Sequence, residues 1–145
     1  MPVIASRRYT RGIASIHALP IDGVPRQALS EGQFDWIGLA EPQVEEMRLL
    51  AAQFGLHPLA VEDALNPQQM PKVEVYARHL FIVARTASMD AGEAISYGQT
   101  ALFLGKDFLI TVRFGSSRAH NQLRERLELV PERLAEGADF VSHAI

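Results

Sequence analysis

Apolar and polar positions along the chain change period several times, and each change predicts an element. Near the N-terminus, Ile13, Ser15 and His17 alternate with Ala14, Ile16 and Ala18, ahead of the turn-rich PIDGVP. Phe34 to Leu39 (FDWIGL) is a second short strand, with Trp36 as its core anchor. Residues 1–40 therefore read as β structure with loops. The period then lengthens in EPQVEEMRLLAAQFG, where Val44, Met47, Ala51 and Phe54, with Leu50 beside them, form one apolar face. Pro42 suits the first helical turn, Glu45 and Glu46 complement the N-terminal dipole, and Gly55 suits the position after the last turn.

Pro58 restarts a helix. A proline at the first helical position gives up no hydrogen bond that the helix would have used. Leu59, Ala60, Val61, Ala64 and Leu65 can cover an inward face, and Asn66-Pro67 stops the segment. After Pro71, KVEVYARHLFIVARTASM is rich in β-branched and aromatic residues and reads as one long strand. Tyr97 to Leu104 and Phe108 to Phe114 follow, split by Gly105-Lys106-Asp107, and predict an antiparallel hairpin.

Ser116 or Ser117 can cap the helix RAHNQLRERLELV, whose stripe is Ala119, Leu123, Leu127 and Val130. ADFVSHAI opens a last helix with Asp139 as its cap, and the sequence ends two turns in. A helix that short is marginal alone, so it is expected to continue in a longer protein. The predicted order is β-β-α-α-β-β-β-α-α. It implies a single α/β domain over residues 1–145, with a mixed, partly antiparallel sheet flanked by helices.

Composition narrows the function classes. The 145 residues are 48% apolar and 21% charged, a globular balance. A formal charge of −3 argues against general nucleic-acid binding. Arg7, Arg8 and Arg11 form the nearest thing to a basic cluster and read as a solvated N-terminal edge. Without cysteine there is no thiolate chemistry, Cys-ligated zinc or disulfide framework. No stretch approaches the ~18 apolar residues of a membrane helix, so the segment is expected to be soluble.

The motifs of phosphate-binding loops, nucleophile elbows and helical zinc sites are absent. His17, His57, His79, His120 and His143 never fall three or four residues apart, which removes helical metal spacing. His57, before a proline at a helix start, reads as a capping or packing residue. A hydrolase built on His57, Asp63 and Ser116 or Ser117 has nothing to orient its parts, and the chain is not read as an enzyme. Glu62 and Asp63 are adjacent, so on a helix their carboxylates diverge by about 100°. Either could be ordinary solvated charge, or could face a partner and supply one oxygen ligand to a hard cation such as Mg²⁺.

The stretch FGLHPLAVEDALNPQQMPKVEVYARHLFIVARTA, residues 54–87, resembles the signature of the CorA family of divalent-cation transporters. The spacing of His57-Pro58, Glu62-Asp63, Asn66 and Pro71-Lys72 carries the likeness. It extends through WIGLAEP at Trp36, ALFLGKDFLITVR, RERL near Arg124 and ADFVSHAI. The resemblance implies the N-terminal cytoplasmic, regulatory domain of a homopentameric inner-membrane protein, with the α/β/α sandwich of that domain. A stalk helix and two membrane helices with a Gly-Met-Asn motif would follow. It also implies that Glu62 and Asp63 belong to a regulatory metal site between subunits, completed by carboxylates from the stalk and from just beyond Ile145. Mg²⁺ is the implied ion, with Co²⁺, Ni²⁺ or Zn²⁺ as other cations of related branches. Met70 departs from the arginine common at that position. A stand-alone oligomerisation or ligand-binding domain is the alternative reading.

Overall fold

The structure, a computed structural model, describes residues 3–15, 18–27, 29–89, 92, 95–115, 129 and 137. Apart from Leu129, the helices expected over 118–130 and 138–145 lie outside the described residues, as do His17, Ser116, Ser117, His120 and His143.

The described chain builds strands β1 (Val3–Thr10), β2 (Ile13–Ala14) and β3 (Gln33–Ala40), then helices α1 (Val44–Phe54) and α2 (Pro58–Ala64). Strands β4 (Lys72–Val75), β5 (His79–Met89), β6 (Ile95–Gly105) and β7 (Phe108–Gly115) complete it. All seven strands join one sheet in the order β2-β1-β3-β7-β6-β5-β4. Only β3 and β7 run parallel; every other pair is antiparallel. The sheet is therefore mixed, and the fold is α/β as expected.

Alternation along the central strands divides the apolar residues between two faces. One face carries Ile37, Leu39, Phe81, Phe103, Ile110 and Val112, packed with Met47, Leu50 and Phe54 of α1 and Ala60 and Ala64 of α2. The other gathers Tyr9, Phe34, Trp36, Leu102 and Leu109, and Trp36 is fully buried there. Burying both faces explains why FDWIGL reads as a nearly continuous apolar run.

Three expectations are corrected. The first is the strand over 13–18. Among the described residues it is the two residues Ile13–Ala14, joined to β1 through Arg11 and Gly12, whose φ values of 50° and 86° form a tight hairpin turn. The second is the stretch 72–89, which is not one strand. It reverses at Ala77 and Arg78, so that β4 lies antiparallel to β5 with Val75 opposite Leu80. No glycine, proline or asparagine marks that turn, so the apolar pattern runs through it.

The third concerns Arg8, which is only partly solvated and is ion-paired. It stands directly across from Asp35, and its Nε and Nη2 donate to that carboxylate at 2.8 and 3.2 Å. Asp35 is 1% exposed, and Arg26 reaches it from the chain ahead of β3 at 3.4 Å. Arg26 also pairs with Asp107 and stacks over Phe54, 4.6 Å from the ring centre.

Helix α1 behaves largely as its pattern predicts, except that Val44 at its first position is exposed. Glu46 Oε1 accepts from the Gln43 amide at 2.9 Å, and Gly55, at φ 69°, closes the helix with its N–H on the Ala51 carbonyl. Gln53, buried on the same helix, donates to the Pro20 carbonyl and accepts from the Asp22 amide, holding the preceding loop down.

Candidate metal centre

Helix α2 is seven residues long and depends on its ends. His57 is its cap, because Nδ1 accepts from the Leu59 amide at 3.1 Å, and Pro58 occupies the first helical position. Ala60 and Ala64 seat the helix on the sheet, with Val61 and Leu65 half-buried beside them, while Leu59 stays exposed. Once that face is set, the other positions follow. Glu62 points to solvent, and Asp63 lies at the margin, partly covered.

The margin is shared with β4. Lys72 and Glu74 stand opposite Val83 and Phe81, so their side chains leave the sheet on the helix-covered face. Lys72 Nζ sits between two carboxylates, 2.5 Å from Asp63 Oδ2 and 2.5 Å from Glu74 Oε1. Asp63 Oδ1 also accepts from Gln69 Nε2 at 3.1 Å, and Glu74 Oε2 from the Tyr76 hydroxyl at 2.8 Å. The loop supplying Gln69 is fastened below by Gln99, which accepts from the Gln69 amide and donates to the Asn66 carbonyl.

The proton affinities follow from these contacts. Hydrogen bonds to Asp63 and Glu74 hold the Lys72 ammonium above its ordinary range. Lys72 and then Tyr76 lower the Glu74 carboxyl, and the bond to Glu74 raises the Tyr76 phenol. Lys72 is thus a fixed cation at the working pH of any cell.

Both sequence candidates are therefore placed, but not together. Asp63 is drawn to Glu74 and Lys72, whereas Glu62 projects outward. Glu74 was not singled out from the sequence, because its nearness to Asp63 depends on β4 lying beside α2. Its only signal was the alternation K-V-E-V, which puts Lys72 and Glu74 on one face. Oxygen donors suit a hard cation. Among the described residues, however, no three histidine or acidic side chains converge to hold one. The donor set fits Mg²⁺ in chemistry, with two carboxylates.

His57 and His79 meet at a second feature, a cleft of about 260 Å³ lined also by Gly55, Tyr76 and Arg78. Tyr76 stacks on His57 with ring centres 4.3 Å apart. Both histidine rings are engaged in holding the chain in place, and no nucleophile accompanies them among the described residues near the cleft.

A seven-stranded mixed sheet with two helices packed on one face, and an acidic margin on the second helix, makes this an α/β domain. The structure is similar to that of the soluble domain of CorA from Methanocaldococcus jannaschii. The TM-score is 0.65 at 19% identity, covering 99% of this chain and 54% of that one. Residues 31–144 match the family model described as CorA-like Mg2+ transporter protein, and the chain belongs to that family. It is 28% identical over 127 residues to YfjQ of Bacillus subtilis, named as a metal ion transporter, covering 88% of this chain and 38% of that protein. It is 33% identical over 75 residues to the cobalt/magnesium transport protein CorA of Thermotoga maritima, covering 51% of this chain and 21% of that protein. The family is one of transporters, not enzymes. No described helix is long and apolar enough to cross a membrane.

Proposed function

We propose that the chain is the cytoplasmic, regulatory, metal-sensing domain of a CorA-like transporter that carries Mg²⁺, and Co²⁺ as well, across the inner membrane. The observation that supports this best is the position of Asp63. It is an ionisable oxygen donor, 25% exposed, at the outer margin of a helix whose inner face is locked to the sheet. A residue so placed can present a carboxylate to a neighbouring copy while the helix stays seated, with Lys72 and Gln69 as the contacts it would have to share or give up. Glu62, fully outward beside it, adds negative charge to the same surface.

In a homopentamer, Asp63 and Glu62 of one subunit would face carboxylates of the next. Mg²⁺ held between them would favour the closed assembly, and its loss would leave uncompensated charges that repel. Zn²⁺, Co²⁺ and Ni²⁺ use overlapping ligand types, so the ion is chosen by site geometry and ligand number.

The test is Asp63→Ala in the full-length transporter, reading Mg²⁺ inhibition of its own transport. Inhibition should shift to higher Mg²⁺. Transport that Mg²⁺ inhibits as in wild type removes Asp63 from the mechanism.

A further inference from the structure

Lys72 places its ammonium between two carboxylates. Its ammonium is 2.5 Å from an oxygen of Asp63 and 2.5 Å from an oxygen of Glu74. Those oxygens are therefore about 5 Å apart or less. A hard cation bound to Asp63 Oδ2 at roughly 2.0–2.5 Å would lie within about 5 Å of the ammonium. The lysine is held in register by β4, with its Nζ 5.9 Å from the centre of the Phe81 ring. Gln69 and the Tyr76 hydroxyl donate to the two remaining oxygens, so each carboxylate is oriented from both sides.

We propose that Lys72 is a tethered competitor of the divalent cation, one that lowers the metal affinity of Asp63 and so sets the concentration at which it responds. This rests on Asp63 being a metal ligand, as argued above, and adds what regulates it. Two carboxylates and one ammonium leave a net charge of −1, against −2 without the lysine. A divalent ion bound to Asp63 must either displace the ammonium or tolerate it within a few ångströms. Even at a water-like dielectric, that repulsion is worth on the order of a tenfold change in affinity. Glu74 has a matching part. It gives Lys72 a second carboxylate to rest on, so the ammonium can leave Asp63 without becoming unpaired. The device is a two-position cation switch, with Lys72 shared between Asp63 and Glu74 when metal is absent and held by Glu74 alone when metal is bound.

The test compares the full-length transporter as wild type, Lys72→Met, Lys72→Gln, Lys72→Arg and the double variant Lys72→Met/Asp63→Asn, each stripped of metal. Direct binding is read with Mn²⁺ by electron paramagnetic resonance. Thermal melting is followed in MgCl₂ against NaCl of equal ionic strength, which separates binding from screening. Without metal, Lys72→Met and Lys72→Gln should melt below wild type, since Asp63 and Glu74 then repel. Both should bind Mn²⁺ about tenfold more tightly than wild type and gain more melting temperature from Mg²⁺. Lys72→Arg, keeping the charge, should stay near wild type, and Asp63→Asn in the double variant should cancel the gain. The glutamine variant keeps a donor to one carboxylate, so the comparison survives if the methionine variant does not fold.

A lower melting temperature with unchanged metal affinity makes Lys72 a structural ion pair and overturns the switch, while Asp63 stands as a ligand. Absence of Mn²⁺ binding in wild type and Lys72 variants alike overturns Asp63 as a ligand, and the switch with it.

Discussion

The backbone amide of His57 donates to Nε2 of His79 over 3.1 Å, so a ring at the start of β5 determines where α2 begins. With Nε2 accepting, the ring proton belongs on Nδ1, which lies 3.2 Å from the Leu80 carbonyl. That satisfies a neutral imidazole completely. Protonating Nε2 would set two donors against each other.

Burial lowers the His79 pKa below its ordinary 6.5, and the nearby His57 pushes in the same direction, against the Leu80 bond. The other groups facing the ring are Tyr76 and Phe103, and neither offers a carboxylate. The unfolded chain then binds the proton more readily than the folded one. Stability from this group is fully present above the unfolded value, near 6.5, and is lost as pH falls through the lower folded value. Urea melts between about pH 7.5 and 5.5 should show the loss, and His79→Gln should flatten that part of the profile. An unchanged slope in the variant would assign the pH dependence elsewhere.

Asp35 is the hinge of a buried charge chain running Arg8, Asp35, Arg26, Asp107. Burial opposes charge on Asp107, but the Leu29 amide and Arg26 together outweigh it and hold the carboxyl below its usual range. Asp35→Asn should cost about 3 kcal/mol in urea unfolding, because it leaves the 13%-exposed Arg26 with one partner. Arg8→Ala should cost less, since Arg8 is 35% exposed and reaches water. Equal costs would mean that burial is not what sets the energy.

Gly105 ends β6 opposite His79, and a Cβ there would overlap the Phe108 ring. Phe108 packs on Phe54 with ring centres 5.2 Å apart, so it cannot yield without loosening α1. Gly105→Ala should therefore destabilise by about 1–3 kcal/mol, seen as a lower melting temperature. A melting point within error of wild type would show that the ring has room to turn.

Some of this was legible before any coordinates. Gly55, Pro58 and Asn66-Pro67 delimit α1 and α2 because helix ends use short-range chemistry: a left-handed residue, a missing N–H, a cap. Gly105-Lys106-Asp107 announced the β6–β7 hairpin for the same reason. The reversal at Ala77-Arg78 gave no such sign. It is stabilised by pairing Val75 with Leu80 and by the Tyr76 amide on the His79 carbonyl, contacts that exist only once the strands meet.

The Glu62-Asp63 pair shows the same division. Helical periodicity alone sends the two carboxylates in different directions, and the family signature marks them as a candidate site. What they touch was beyond the sequence. Asp63 meets Lys72 nine residues on because α2 lies beside β4, and Arg8 meets Asp35 across 27 residues because strand register sets them opposite one another. Local conformation depends on neighbours along the chain, and a sequence displays those. Charge pairing in a fold depends on which strands lie side by side, and long-range packing of Trp36, Phe103 and Leu50 decides that for the whole sheet at once.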